Sequence, residues 1–213
     1  MKTREILRMF VPIVGSSLAA TATFAGSIIF HPERAVVGGN GCPQNATRIS
    51  VDEFGDLLIE HDAMSISLDA YGSDPALAAR KACAIRVPVT VASGFYVKSI
   101  EQRLTYAVSK SAGSEARLAT RTSLSGINLN PFTVTLPYGD EMYSDFMIDT
   151  RRDYLSRPEH RASLCQAGRS EDQMLQINVA ITAQRDSAAE ALLIAAHGSY
   201  IGEGFEIEMA PCP

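Results

Sequence analysis

Arg80-Lys-Ala-Cys-Ala-Ile-Arg-Val-Pro-Val-Thr-Val91 is the stretch on which the fold turns. Ile85, Val87, Val89 and Val91 alternate with Arg86, Pro88 and Thr90. A period of two puts one set of side chains on each face of a half-buried strand. Pro88 has no N–H to give to a ladder, so this strand is expected at a sheet edge or at a bulge. From Leu57 onward the same pattern recurs. Ile100, Leu104, Tyr106 and Val108 oppose Glu101, Arg103 and Thr105, and Phe132, Val134 and Leu136 are stopped by Pro137-Tyr-Gly-Asp140. Met142, Phe146 and Ile148 follow, then Leu175, Ile177, Val179 and Ile181, and last Phe205, Ile207 and Met209. Short strands at such intervals predict an all-β fold, an antiparallel β-sandwich of jelly-roll or immunoglobulin-like type.

Three segments depart from that pattern. Ser187-Ala-Ala-Glu190 reads as a capping box, and Ala188–His197 has the composition of a helix of about ten residues. Residues 74–82 suit a helical turn or two started by Pro75, and residues 150–172, charged and poor in β-branched side chains, suit a long loop containing a short helix. The sandwich is therefore expected to carry one or two short helices.

At the start of the chain, Lys2, Arg4 and Arg8 precede the apolar run Met9–Ala20, and small residues follow at Ala20-Thr-Ala22 and Thr23-Phe-Ala25. A basic start, a short apolar run and a small-residue site describe a secretory signal peptide over residues 1–22, with cleavage as late as residue 25. The run is shorter than the roughly 20 residues a membrane-spanning helix needs, and no other run is longer. No transmembrane anchor is therefore expected after cleavage. Residues 23–40 read as an extended arm and residues 41–213 as a single domain. The whole chain carries a formal charge of −5. Residues 1–22 hold three basic residues and one acidic, so the mature part is more acidic still. An acidic domain repels phosphate backbones, which argues against nucleic acid as a partner, isolated pairs such as Arg151-Arg152 notwithstanding.

The four cysteines, Cys42, Cys83, Cys165 and Cys212, form no close pair of the kind zinc sites use. Their long spacings suit two disulfides in an oxidising compartment. Three connectivities are open. Cys42–Cys212 with Cys83–Cys165 is preferred, because the first bond would tie the two ends of the domain together.

Several landmarks occur in order: Gly41-Cys-Pro43, Leu57-Leu-Ile-Glu-His-Asp62, Arg80-Lys-Ala-Cys83, Ser93-Gly94-Phe95, Leu175-Gln-Ile-Asn178 and Cys212. Over residues 38–213 the chain resembles domain of unknown function family 4360, small secreted proteins of fungi and bacteria. The resemblance implies secretion and a β-rich, cysteine-linked domain, favours a strand over a helix at Leu192–Ala195, and implies no reaction. One departure is the absence of tryptophan, which such proteins often carry shortly before the last cysteine.

No chemical constellation stands out. His31, His61, His160 and His197 share no ligand spacing, and His61-Asp62 would point to opposite faces of a strand. Ser93-Gly94 and Ser125-Gly126 are turn residues rather than nucleophile elbows. Gly38-Gly39-Asn-Gly41 precedes no helix and reads as flexible arm rather than a phosphate loop. Asp52, Glu53 and Asp56, or Asp140, Glu141 and Asp145, have the oxygen chemistry for calcium but match no EF-hand loop, and read as solvated turns. The sequon Asn45-Ala-Thr47 matters only in a glycosylating host. No residue is assigned a catalytic role, and no cofactor or metal is implied. The leading expectation is a secreted, non-catalytic module that binds an extracellular or cell-surface protein or polysaccharide, or acts in the periplasm of a Gram-negative host. Two alternatives stand beside it. One is a polysaccharide hydrolase using paired carboxylates; the other is a secreted inhibitor or toxin-like factor presenting Tyr154–Arg169.

Overall fold

The structure is a computed structural model, described here for residues 28–70, 76–139, 143–167, 173–195 and 202–213. The predicted signal peptide and His197 lie outside the described residues. In chain order the strands are β1 (Ile28–Phe30), β2 (Val36–Gly38), β3 (Thr47–Val51), β4 (Leu57–His61), β5 (Ser65–Leu68), β6 (Ala78–Val91) and β7 (Phe95–Lys110). Then come β8 (Ser114–Leu124), β9 (Ile127–Asn128), β10 (Phe132–Leu136), β11 (Tyr143–Tyr154), α1 (Pro158–Ala167), β12 (Gln173–Arg185), β13 (Leu192–Ala195) and β14 (Gly202–Pro211). They make two antiparallel sheets facing each other as a β-sandwich. The first has the order β1-β6-β12-β8-β10, with β2 also on β6 and β9 on β8. In the second, β3-β4-β14 leads to β7, which carries β13 and then β5 farther along the same edge and β11 along its other edge.

Period-two apolarity builds the core. Ile85, Val87 and Val89 of β6, Leu175, Ile177, Val179 and Ile181 of β12, and Leu118 and Leu124 of β8 are buried from the first sheet. Leu57, Ile59, Leu104, Tyr106, Val108, Ile194 and Phe205 are buried from the second. Each such side chain contributes about 1.5–3 kcal/mol relative to exposure. Ile148 of β11 points the other way and is exposed.

Pro88 is accommodated differently from the expectation. β6 is flanked by β12 on one side and by β1 and β2 on the other. The ladder on that second side is broken by the turn Pro32–Arg34, and His31 N–H donates to the Pro88 carbonyl at 3.0 Å. The missing N–H therefore faces the gap between β1 and β2, so an interior strand tolerates it. Those two strands also show that residues 28–38 lie on the sheet, with Phe30 in the core.

Three local expectations are corrected by tertiary pairing. Residues 78–82 are strand, not helix, because β12 pairs Ala78–Ala82 throughout; residues 71–75 lie outside the described ones. Arg151–Tyr154 extends β11 along β7 rather than looping, while Pro158–Ala167 is the short helix expected within residues 150–172. The capping box forms a turn. Glu190 Oε2 accepts from Asp186 N–H at 3.2 Å, while the buried Arg185 guanidinium donates to the carbonyls of Asp69, Ala76 and Glu190 at 2.8–3.0 Å. Leu192–Ala195 is then taken up between β5 and β7, as the resemblance implied.

Both disulfides are present, but they join Cys42 to Cys83 and Cys165 to Cys212, not the preferred pairs. Cys42 follows a segment tied along β6 by Gly41 N–H to the Ala82 carbonyl (3.0 Å), which sets it beside Cys83. Cys212, at the end of β14 in the other sheet, hydrogen-bonds Gly94 and meets α1. The ends of the domain thus belong to different sheets. Loops of 41 and 47 residues are each worth about 4 kcal/mol in the chain-entropy model.

Candidate functional site

The outer face of the first sheet is built by register. Across β6, β12 and β8, Ala84 lies beside Asn178 and Arg121, Ala82 beside Ala180 and Ala119, and Arg80 beside Thr182 and Arg117. A row of three alanines thus runs between two rows carrying guanidinium, amide and hydroxyl groups. Because the alanines are short, the floor is low, and a groove of about 570 Å³ opens above it, walled at the β6 end by Gly38 and Gly39. That lies within the size of ordinary ligand sites. Thr133 and Thr135 of β10 continue the two lower rows and are exposed.

Arg80, Arg117 and Arg121 are exposed, and none makes a side-chain hydrogen bond or ion pair among the described residues. From strand geometry, Arg117 and Arg121 stand about 13 Å apart along β8, and Arg80 about 10 Å across the sheet from Arg117. Arg86 extends the same face of β6. The arginines singled out in the sequence behave differently: Arg152 pairs with Glu101 at 2.6 Å and Arg151 with Asp153 at 3.5 Å. Among the described residues, the groove lining contains no carboxylate, imidazole or aromatic ring.

The rim at β2 depends on two backbone features. Gly39 has φ of +130°, and a Cβ there would overlap the Ala82 carbonyl oxygen. Asn40 acts as a strand substitute, accepting from Ala82 N–H at 2.8 Å and donating to the Arg80 carbonyl at 3.2 Å. The Gly38–Gly41 stretch is therefore docked on β6 rather than a free arm.

The other candidates fall elsewhere. His61 is wholly buried on β4, neither ring nitrogen has a partner among the described residues, and burial lowers its pKa to about 4. His31 contacts Thr90 Oγ1 at 2.8 Å. Asp52 Oδ1 accepts from Phe54 and Asp56 N–H, both at 2.9 Å, so this acidic segment is a turn closed on itself. Asp56 has its pKa raised, first by burial and then by Asp52. Asp52, Asp56, Glu101, Arg103 and Glu206 edge a notch of only about 40 Å³. Asp140 and Glu141 lie outside the described residues. Among the described residues no group of three His, Cys, Asp or Glu side chains converges as a metal site.

Sequence reasoning missed a buried network between the sheets. Gln102 Nε2 donates to Thr120 Oγ1 (2.9 Å) and Glu203 Oε2 (3.3 Å), and Thr122 Oγ1 donates to Gln102 Oε1 (3.2 Å). Burial raises the Glu203 pKa to about 8, so near neutral pH the carboxyl is mostly protonated. It is sealed in the core, away from the groove. Of the Tyr154–Arg169 segment the described part, through Ala167, is anchored at Leu155 and Leu164, which are buried, and by the Cys165–Cys212 bond, while Tyr154, Arg157 and Glu159 are exposed.

No curated protein matches the chain in sequence. Among solved structures, a β-1,4-galactotriose complex of TmCBM61 is similar at 12% identity over 83% of this chain and 90% of that one, with a TM-score of 0.31. TmCBM27, a carbohydrate-binding module described for mannan recognition, is similar at 10% identity over 78% and 98%, with a TM-score of 0.35. At such values the likeness is confined to the β-sandwich build. Residues 33–212 match the family described as Domain of unknown function (DUF4360), and the chain belongs to that family.

Proposed function

We propose that this protein is a non-catalytic extracellular binding module whose ligand surface is the groove on the outer face of the first sheet. One observation carries the reading: among the described residues, Arg80, Arg117 and Arg121 stand unpaired around a 570 Å³ groove lined by no acid–base group. Guanidinium groups left without carboxylate partners are donors in wait for an acceptor from another molecule. Two disulfides suit an oxidising compartment, and among the described residues no helix is long and apolar enough to cross a membrane. The hydrolase alternative finds no substrate-sized acidic cleft among the described residues: Glu203 is sealed between the sheets, and Asp56, whose pKa is also raised, edges a notch of only about 40 Å³.

The test is retention of the oxidised protein on a panel of insoluble and immobilised polysaccharides, compared with an Arg117→Gln/Arg121→Gln double variant. Both positions are exposed, so thermal unfolding should match wild type. Retention by wild type and loss in the variant is the expected result. Equal retention of both, or release of new reducing ends by wild type, would overturn the reading.

A further inference from the structure

We infer that the groove recognises a carboxylated polysaccharide, a uronate-containing polymer laid across β6, β12 and β8. This rests on the proposed binding surface and goes further by naming the chemistry of its ligand. Among the described residues, the groove offers three fork-shaped cations and no aromatic side chain. Tyr96 and Tyr106 are buried in the core, and the exposed Tyr138 and Tyr154 are not part of the lining. A neutral sugar chain would have no flat ring to stack on, so contact free energy must come from charge and hydrogen bonding. Arg binds carboxylate bidentately, which gives orientation as well as attraction.

The arrangement selects among polyanions. Asn178 lies beside Arg121, and Thr182 lies between Arg80 and Arg117 in one cross-strand row. Amide and hydroxyl groups interleaved with guanidiniums suit a polymer that presents hydroxyls between well-separated carboxylates. Duplex DNA carries about one charge per 1.7 Å and single strands rely on stacking platforms. This groove has three cations spaced about 10–16 Å apart, no ring to stack on among the described residues, and an acidic molecule around it. Dense phosphate would meet strong repulsion beyond the groove; a sparser carboxylate polymer would meet less.

The deciding experiment is titration calorimetry of the oxidised protein with polygalacturonate, neutral galactan and single-stranded DNA. It is run at about 50 and about 500 mM salt with wild type, Arg117→Gln, Arg121→Gln and Arg121→Lys. Expected is polygalacturonate binding that weakens at least about tenfold at the higher salt. Each Arg→Gln change should also cost about tenfold or more, with only partial recovery in Arg121→Lys because the fork is lost. Galactan binding that resists salt but is lost in the Gln variants would overturn the carboxylate inference and keep the binding face. Preferred binding of DNA would overturn it in favour of nucleic acid. Polygalacturonate binding unchanged in all variants would overturn both the inference and the face. Circular dichroism on each variant separates lost binding from lost folding.

Discussion

Glu203 and His61 are both buried on inward faces of the second sheet, and burial moves them in opposite directions, to about 8 and about 4. Between pH 4.5 and about 8 the folded chain keeps the Glu203 proton that the unfolded chain has lost, so stability falls as pH rises. Between about 4 and 6.5 the unfolded chain carries a His61 proton that the folded chain refuses, so stability falls as pH drops. The two slopes oppose each other below pH 6.5, and only that of Glu203 remains above it. The melting temperature is therefore expected to stay level through mildly acidic pH and to decline from pH 6.5 towards 8, as the unfolding free energy falls with a limiting slope of about 1.4 kcal/mol per pH unit. Glu203→Gln should remove that decline, and His61→Leu should extend it down to pH 4.5. Thermal unfolding followed across pH checks both; an unchanged slope in Glu203→Gln would mean that the carboxyl is not held protonated.

At the scale of elements, the Gly38–Gly41 segment illustrates how a rim is made from backbone. Gly39 is required twice, by its positive φ and by the closeness of the Ala82 carbonyl. Gly39→Ala should cost about 2 kcal/mol or more in denaturant unfolding. Gly55→Ala, at φ +88° with open space around it, should cost about 1 kcal/mol. Equal costs would mean that Gly39 is not held against β6. The strands themselves are legible because β-branched alternation at Ile85–Val91 and Leu175–Ile181 survives in any sandwich. Pairing overrides local preference in two places: Ala78–Ala82 has helix formers but lies along β12, which the sequence misleads on, and Leu192–Ala195, helical by composition but a strand by the resemblance, is claimed by two neighbours. The groove is illegible for a different reason. Arg117, Ala119 and Arg121 alternate plainly, but nothing in them tells that Asn178, Thr182 and Arg80 lie alongside; only the register of β6, β12 and β8 does. Likewise, cysteine spacing gives loop lengths, whereas pairing depends on which sheet each cysteine joins.

As a whole molecule the protein is acidic, yet one face of one sheet gathers Arg80, Arg86, Arg117 and Arg121. Elsewhere Arg152 and Lys98 are matched by Glu101 and Glu208. Charge that is neutralised within the fold does little outside it, while charge left open can attract a ligand at a distance. The disulfides reinforce this division. Cys42–Cys83 fastens the groove's rim to β6, and Cys165–Cys212 holds α1 to the end of the other sheet. The central claim is that the groove face is where this protein meets its partner. Amide chemical-shift mapping of the isotope-labelled, oxidised protein with short oligogalacturonates tests it most directly. The account predicts perturbations clustered at Arg80–Ala84, Arg117–Arg121 and Asn178–Thr182, with β11 and α1 unchanged. Perturbations centred on the second sheet, or on the acidic notch around Asp56 and Glu206, would contradict it.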